Sequence, residues 1–168
     1  MQLGLTILID SDFSSSLLGD LTSHLMDIFP LNQVDKHKLA LLPHSCWDVS
    51  RQQYNANCLL GSVVSPNHNK IVLLIVTKDT YVEKLNFVFG VASTGIGAVV
   101  SVFRLEKDPE FIQKEITHEL GHVFGLNHCS LPCVMTFSNS VWEAKQKSSN
   151  FCEKCITKIN QFMNKKLT

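Results

Sequence analysis

The sequence has no surplus of either charge. Lys plus Arg and Asp plus Glu number 15 each, so the formal net charge is zero and no long-range field draws a polyanion to the surface. Nucleic acid is therefore not an expected partner. No apolar run approaches the ~20 residues of a membrane helix. The first residues, MQLGLTILID, lack the basic start and small-residue cleavage site of a secretory signal. No membrane association is expected, and the chain reads as soluble and cytoplasmic. Internal repeats are also missing, and no linker is long enough to separate domains. With 168 residues, 45% of them hydrophobic, the expectation is one domain over 1–168, a single sizeable core and a monomer.

What is present alternates between strand and helix signals. Leu3, Leu5, Ile7 and Ile9 recur with a period of two and predict a first strand ending at Asp10. Leu17, Leu18, Leu21, Leu25, Met26 and Phe29 follow at helical spacing behind the cap candidates Asp12 and Ser14, and Pro30 stops the run. A short strand is expected over Lys38 to Leu42. Ser50 with Gln53 has capping-box spacing and predicts a helix from Arg51 to Val64, closing at the turn-rich Ser65 to Asn69. Lys70 to Thr77 is almost uninterruptedly apolar, the pattern of a strand covered on both faces. Strands are expected at Asn86 to Val91 and Gly97 to Leu105, joined by a glycine-bearing turn. Asp108 as cap and Pro109 at the first helical position open another helix, which Gly125 can end. A last helix should run from Glu153 to Leu167. The class is α/β, or α+β.

His118 and His122 stand four apart on that third helix, so both imidazoles lie on one face and can reach one ion. Glu119 lies beside them. Zinc held by neutral imidazoles keeps a position for water and lowers its pKa to about 7, and an adjacent carboxylate can take the proton. HExxH alone also occurs on helices whose histidines merely face solvent or pack. The full run over 118–128, HELGHVFGLNH, adds a glycine where the helix must end and a third histidine, His128. Met135 follows seven residues later, as a methionine turn beneath a metal would require. This predicts a zinc metallopeptidase with His118, His122 and His128 as ligands, Glu119 as general base, and a peptide or protein substrate. The alternative is a zinc-stabilised binding or regulatory module that hydrolyses nothing, which Glu119 argues against.

Cys129 and Cys133, then Cys152 and Cys155, form two close pairs, the ligand set of a closed tetrahedral zinc site. Two disulfides or four unrelated thiols are the competing readings. Zinc would supply folding free energy to the region between the pairs, where few residues can form a core. Cys46 and Cys58 show no such pattern and are expected to be ordinary buried thiols. His24, His37, His44 and His68 have no ligand spacing and read as satisfied core or surface histidines.

The run HELGHVFGLNHC, then Cys133-Val134-Met135, then Cys152 and Cys155, resembles the archaemetzincins, a family of metzincin-like zinc peptidases. Arg51 to Tyr54 and Asn86 to Gly90 look like stretches of the same family. The resemblance implies a twisted mixed five-stranded sheet with helices, an active-site helix, and two zinc ions per chain, one catalytic and one structural. It also implies a C-terminal subdomain, 126–168, held by the structural zinc and following an N-terminal part, 1–125. Two departures stand out: three residues rather than the family's common four separate Cys129 from Cys133, and Phe137 cannot offer the tyrosine hydroxyl of some other metzincins.

Overall fold

In the computed structural model, which describes residues 3–65 and 70–167, strand β1 (Gly4–Asp10) leads through a short 3-10 turn (Ser15–Leu17) to helix α1 (Leu21–Ile28) and strand β2 (Gln33–Leu39). Two short strands, β3 (Trp47–Asp48) and β4 (Gln53–Asn55), precede helix α2 (Ala56–Leu59), which widens into a π turn over Leu60–Val64. Strand β5 (Ile71–Val76), the short β6 (Thr80–Tyr81), β7 (Gly90–Ser93) and β8 (Gly97–Ser101) come next. Helices α3 (Pro109–Val123), α4 (Val141–Gln146) and α5 (Glu153–Leu167) complete the order. None of the described helices is long and apolar enough to cross a membrane.

The main sheet runs β2-β1-β5-β8-β7, parallel throughout except that β7 is antiparallel to β8. β5 sits at its centre with every residue buried, as its uninterrupted apolar run requires. Leu73, Ile75, Ala98 and Val100 face a layer built from α1, α3 and α5. Val72, Leu74, Val76 and Val99 face the opposite way, onto Leu59 and Val64 of the α2 region. Each of these valine, leucine and isoleucine side chains removed from water is worth roughly 1.5–3 kcal/mol, so both faces of the sheet are held. A second sheet, β3-β4-β6, lies apart from the first.

Helix α3 forms where the cap signals place it. Asp108 Oδ1 accepts from the backbone N–H groups of Glu110 and Phe111, at 3.1 and 3.3 Å. At the other end Gly125 adopts φ +82°, a left-handed conformation that L side chains avoid, and turns the chain back.

Several expected elements differ from those observed. The first helix is split: Gly19, at φ +46°, separates the 3-10 turn from α1. The expected strand at Lys38–Leu42 lies earlier, at Gln33–Leu39; as an exposed edge it carries Asp35, Lys36 and Lys38, so it shows no apolar alternation. The expected Arg51–Val64 helix begins only at Ala56, capped by Asn55, whose side chain accepts from the Cys58 N–H. Ser50 instead donates its hydroxyl to Asp48, and Gln53 lies in a strand. The expected turn at Ser65–Asn69 and His68 fall largely outside the described residues. Cys46 and Cys58 are joined in a disulfide rather than free; spacing alone could not reveal that the fold brings their Cα atoms to 5.4 Å.

Candidate metal centre and cleft

His118 and His122 project from one face of α3. Nδ1–H of His118 donates to the Val134 carbonyl and Nδ1–H of His122 to that of Leu126, each at 2.8 Å. A carbonyl can only accept, so these bonds fix the tautomer and leave both Nε2 lone pairs free. The two Nε2 atoms lie 3.2 Å apart. His128, brought round by the Gly125 turn, offers its ring to the same point, and one ligand atom from each of the three lies within 4.8 Å of the others. Tetrahedral bonds of 2.0–2.1 Å would set such nitrogens about 3.3 Å apart, so the set fits a zinc ion.

Burial holds His118 well below the usual imidazole range, at about 3, and the Lys147 ammonium adds to the effect. His122 and His128 are lowered by the same burial. All three are thus neutral near pH 7, the form that binds a metal.

Met135 is fully buried. A Cβ on Gly121 would run into its sulfur, which explains why the helix turn between the two histidines carries glycine. The Met135 carbonyl accepts from Cys129 N–H at 2.9 Å, tying the turn to the residue after His128. Phe137, half exposed, lays its ring 5.0 Å from that of His128.

Glu119 is 7% exposed, and burial pushes its carboxyl up to about 8, with the nearby Glu115 adding to the rise. Glu115 and Lys147 went unnoticed in the sequence. They form a buried ion pair of 2.9 Å beside the site, and Lys147 Nζ stands 3.3 Å from Nδ1 of His118. With Nδ1–H given to Val134, that approach is a repulsion between donors, consistent with the lowered His118. Glu115 precedes Glu119 by four residues and so shares its face of α3; Lys147, in an irregular stretch, offered no signal. His24 meets Thr117 Oγ1 at 3.1 Å, a satisfied histidine away from the three.

These groups open onto a cleft of about 790 Å³. One wall is β7 and the segment 82–89 before it, the other the segment 137–140, and His118, Glu119, His122 and His128 face the space between.

Cys129, Cys133, Cys152 and Cys155 are free thiols whose sulfurs all lie within 4.8 Å of one another. Cys129 and Cys152 are 3.8 Å apart, far beyond a disulfide bond and close to the spacing that four 2.3 Å zinc–sulfur bonds impose. Burial opposes ionisation of Cys152, yet the Cys155 N–H and the surrounding thiols outweigh it and bring it down to about 7. Burial pushes Cys133 and Cys155 up.

Residues 32–161 match the model of peptidase family M54. An archaemetzincin of Archaeoglobus fulgidus is 41% identical over 150 residues, covering 82% of this chain and 92% of its own. The crystal structure of archaemetzincin from Methanopyrus kandleri superposes with a TM-score of 0.86 at 36% identity, over 97% of this chain and 96% of that one. That of archaemetzincin from A. fulgidus complexed with malonate gives 0.80 at 38%, over 93% and 99%. Mixed sheet, helix-borne HExxH and these likenesses define a zinc metallopeptidase, a hydrolase of peptide bonds. Within that class the chain belongs to peptidase family M54, the archaemetzincins.

Proposed function

We propose that His118, His122 and His128 hold the catalytic zinc of this metallopeptidase, that Glu119 is its general base, and that Cys129, Cys133, Cys152 and Cys155 hold a second, structural zinc. One observation carries the reading: three free imidazole nitrogens converge beside Glu119, with both helix-borne rings locked by their Nδ1–H bonds. Zinc in such a site polarises a peptide carbonyl and acidifies water to a pKa of about 7. Glu119 accepts the proton of the attacking water and returns it to the departing amine; a carboxyl raised toward neutral pH suits both tasks. The free edge of β7 faces the cleft, and an extended peptide or protein segment would lie along it, held by main-chain hydrogen bonds.

The four thiols, clustered without oxidation, favour a unit over residues 126–168 held by metal. Free thiols also favour a reducing compartment, the cytoplasm, whereas the Cys46–Cys58 bond would have to persist there; a thiol count on protein isolated under alkylating conditions separates the two. The chain is proposed to act as a monomer on peptides.

Glu119→Gln should lower peptide cleavage by at least about 10³-fold while leaving two zinc ions per chain, since Glu119 moves a proton and does not ligate. Digestion of a mixed peptide library read by mass spectrometry, with zinc measured on the same samples, tests this. Full activity in the variant, or loss of one zinc, would overturn the assignment.

A further inference from the structure

Two stretches picked out in the sequence, Arg51 to Tyr54 and Asn86 to Gly90, take no part in the metal site, yet they touch each other. Residues 82–89 form one wall of the cleft without regular secondary structure; among their own amides one turn bond is made, from Leu85 N–H to the Val82 carbonyl at 3.1 Å. A wall so built does not hold its shape unaided, because irregular backbone leaves carbonyls that need partners.

The partners come from behind it. Arg51 Nη2 donates to the carbonyls of Leu85 and Asn86, at 2.8 and 3.3 Å, and Gln53 Nε2 donates to Asn86 at 2.9 Å. Gln53 is itself fully committed: its Oε1 accepts from Arg51 Nε at 3.0 Å, and its second amide hydrogen goes to Asp79 Oδ2 at 2.8 Å. Asp79, 7% exposed, also receives both Nε and Nη2 of Arg104, at 2.9 and 2.7 Å. The same Arg104 guanidinium lies 4.0 Å over the ring of Phe87, which lines the cleft, and Arg51 lies 4.0 Å over Tyr81. Thr80 and Val88 exchange two further bonds, each 2.9 Å. Arg51, Gln53, Asp79 and Arg104 do not themselves line the cleft.

We infer that Arg51, Gln53, Asp79 and Arg104 are positioning residues for the peptide substrate: from outside the cleft they clamp the main chain at Leu85 and Asn86 and the ring of Phe87, and so set the wall that leads into the β7 edge at Gly90 in register with Glu119. This rests on the peptidase reading of the cleft. It assigns the chemistry of two cations, an amide and a carboxylate to the shape of a wall rather than to contact with substrate.

Two hydroxamates separate the clamp from the metal site. Acetohydroxamate reaches the zinc alone; a tripeptide hydroxamate must also lie along the wall. Arg51 is exposed, so Arg51→Met should fold. It should weaken the tripeptide hydroxamate about tenfold, the equivalent of one charge-assisted hydrogen bond, and raise KM for cleaved peptides by a similar factor with kcat within about twofold. Acetohydroxamate affinity and zinc content should stay at wild-type values. Arg51→Lys, which keeps the cation but not the fork, should recover part of the loss. Equal weakening of both hydroxamates, an unchanged KM, or a fall in kcat without a change in KM would overturn the inference. Should wild type cleave no peptide, the assignment of Glu119 fails, while the two-probe comparison still decides the clamp.

Discussion

Across the cleft, a Cβ added at Gly90 would come within 2.8 Å of Cγ of Glu119, so the glutamate's freedom is limited by a neighbouring strand as well as by its own helix. That crowding goes with burial, and burial has a measurable consequence before any metal is added. The folded carboxyl titrates at about 8 against an ordinary 4.5. Between these values the native state keeps a proton that the unfolded chain releases, so Glu119 makes the metal-free fold less stable as pH rises from 4.5 to 8. Glu119→Gln escapes this. In chelator-treated protein its stability advantage over wild type should be close to zero at pH 4 and reach on the order of 5 kcal/mol by pH 9. Urea unfolding at pH 4, 7 and 9 would measure it, and an advantage that shrank with pH would refute the assignment of a raised carboxyl. The residues of this site were legible because HELGHVFGLNH is a contiguous run with one chemical meaning. Glu115 and Lys147 were not, since nothing in an irregular stretch says that its lysine will end 2.9 Å from a glutamate 32 positions earlier in the chain.

That pair, beside a weaker bond from Ser149 Oγ to Glu110, links the segment after α4 to α3. Both side chains are nearly inaccessible, at 4% and 3%, so each charge depends on the other for what water no longer provides. Lys147→Met should cost about 3–5 kcal/mol by stranding Glu115, and adding Glu115→Leu should restore most of it. A single variant whose urea midpoint matched wild type would show the pair to be dispensable. Elements were readable wherever a local pattern met no competing partner: β5 by its apolar run, α3 by Asp108 and Pro109, α5 by its amphipathic spacing. Ser140 and Glu143 carry capping-box spacing too, and a close variant of the box forms: Glu143 N–H is given to Ser140 Oγ, while Glu143 Oε2 accepts from the N–H of Asn139, one residue before the cap. Ser50 and Gln53 have the same spacing and form none, because Asp48, Asp79 and the Asn86 carbonyl claim their side chains first. Pattern alone cannot rank a local partner against a distant one.

For the molecule as a whole, the second sheet and the disulfide were beyond reach of the sequence, being products of chain crossings with no periodic signature. The C-terminal quarter was legible through its cysteines. Cys152→Ser should lower zinc content by about one ion per chain and the melting temperature by about 10 °C, more than His118→Ala does. Zinc analysis with thermal unfolding of both variants would check it, and a Cys152→Ser protein melting like wild type would leave the four thiols without a structural role.

His128 and Cys129 are joined by one peptide bond, and the Cys129 N–H is held by the carbonyl of the residue beneath the histidines. Metal at the thiols would therefore remove conformational freedom that the third imidazole would otherwise lose on its own account. Entropy lost once would serve two equilibria, so under the proposed two-zinc reading the affinities of the two centres would be coupled, and reciprocally: whatever factor thiol occupancy contributed to metal uptake by the histidines, histidine occupancy would return to the thiols.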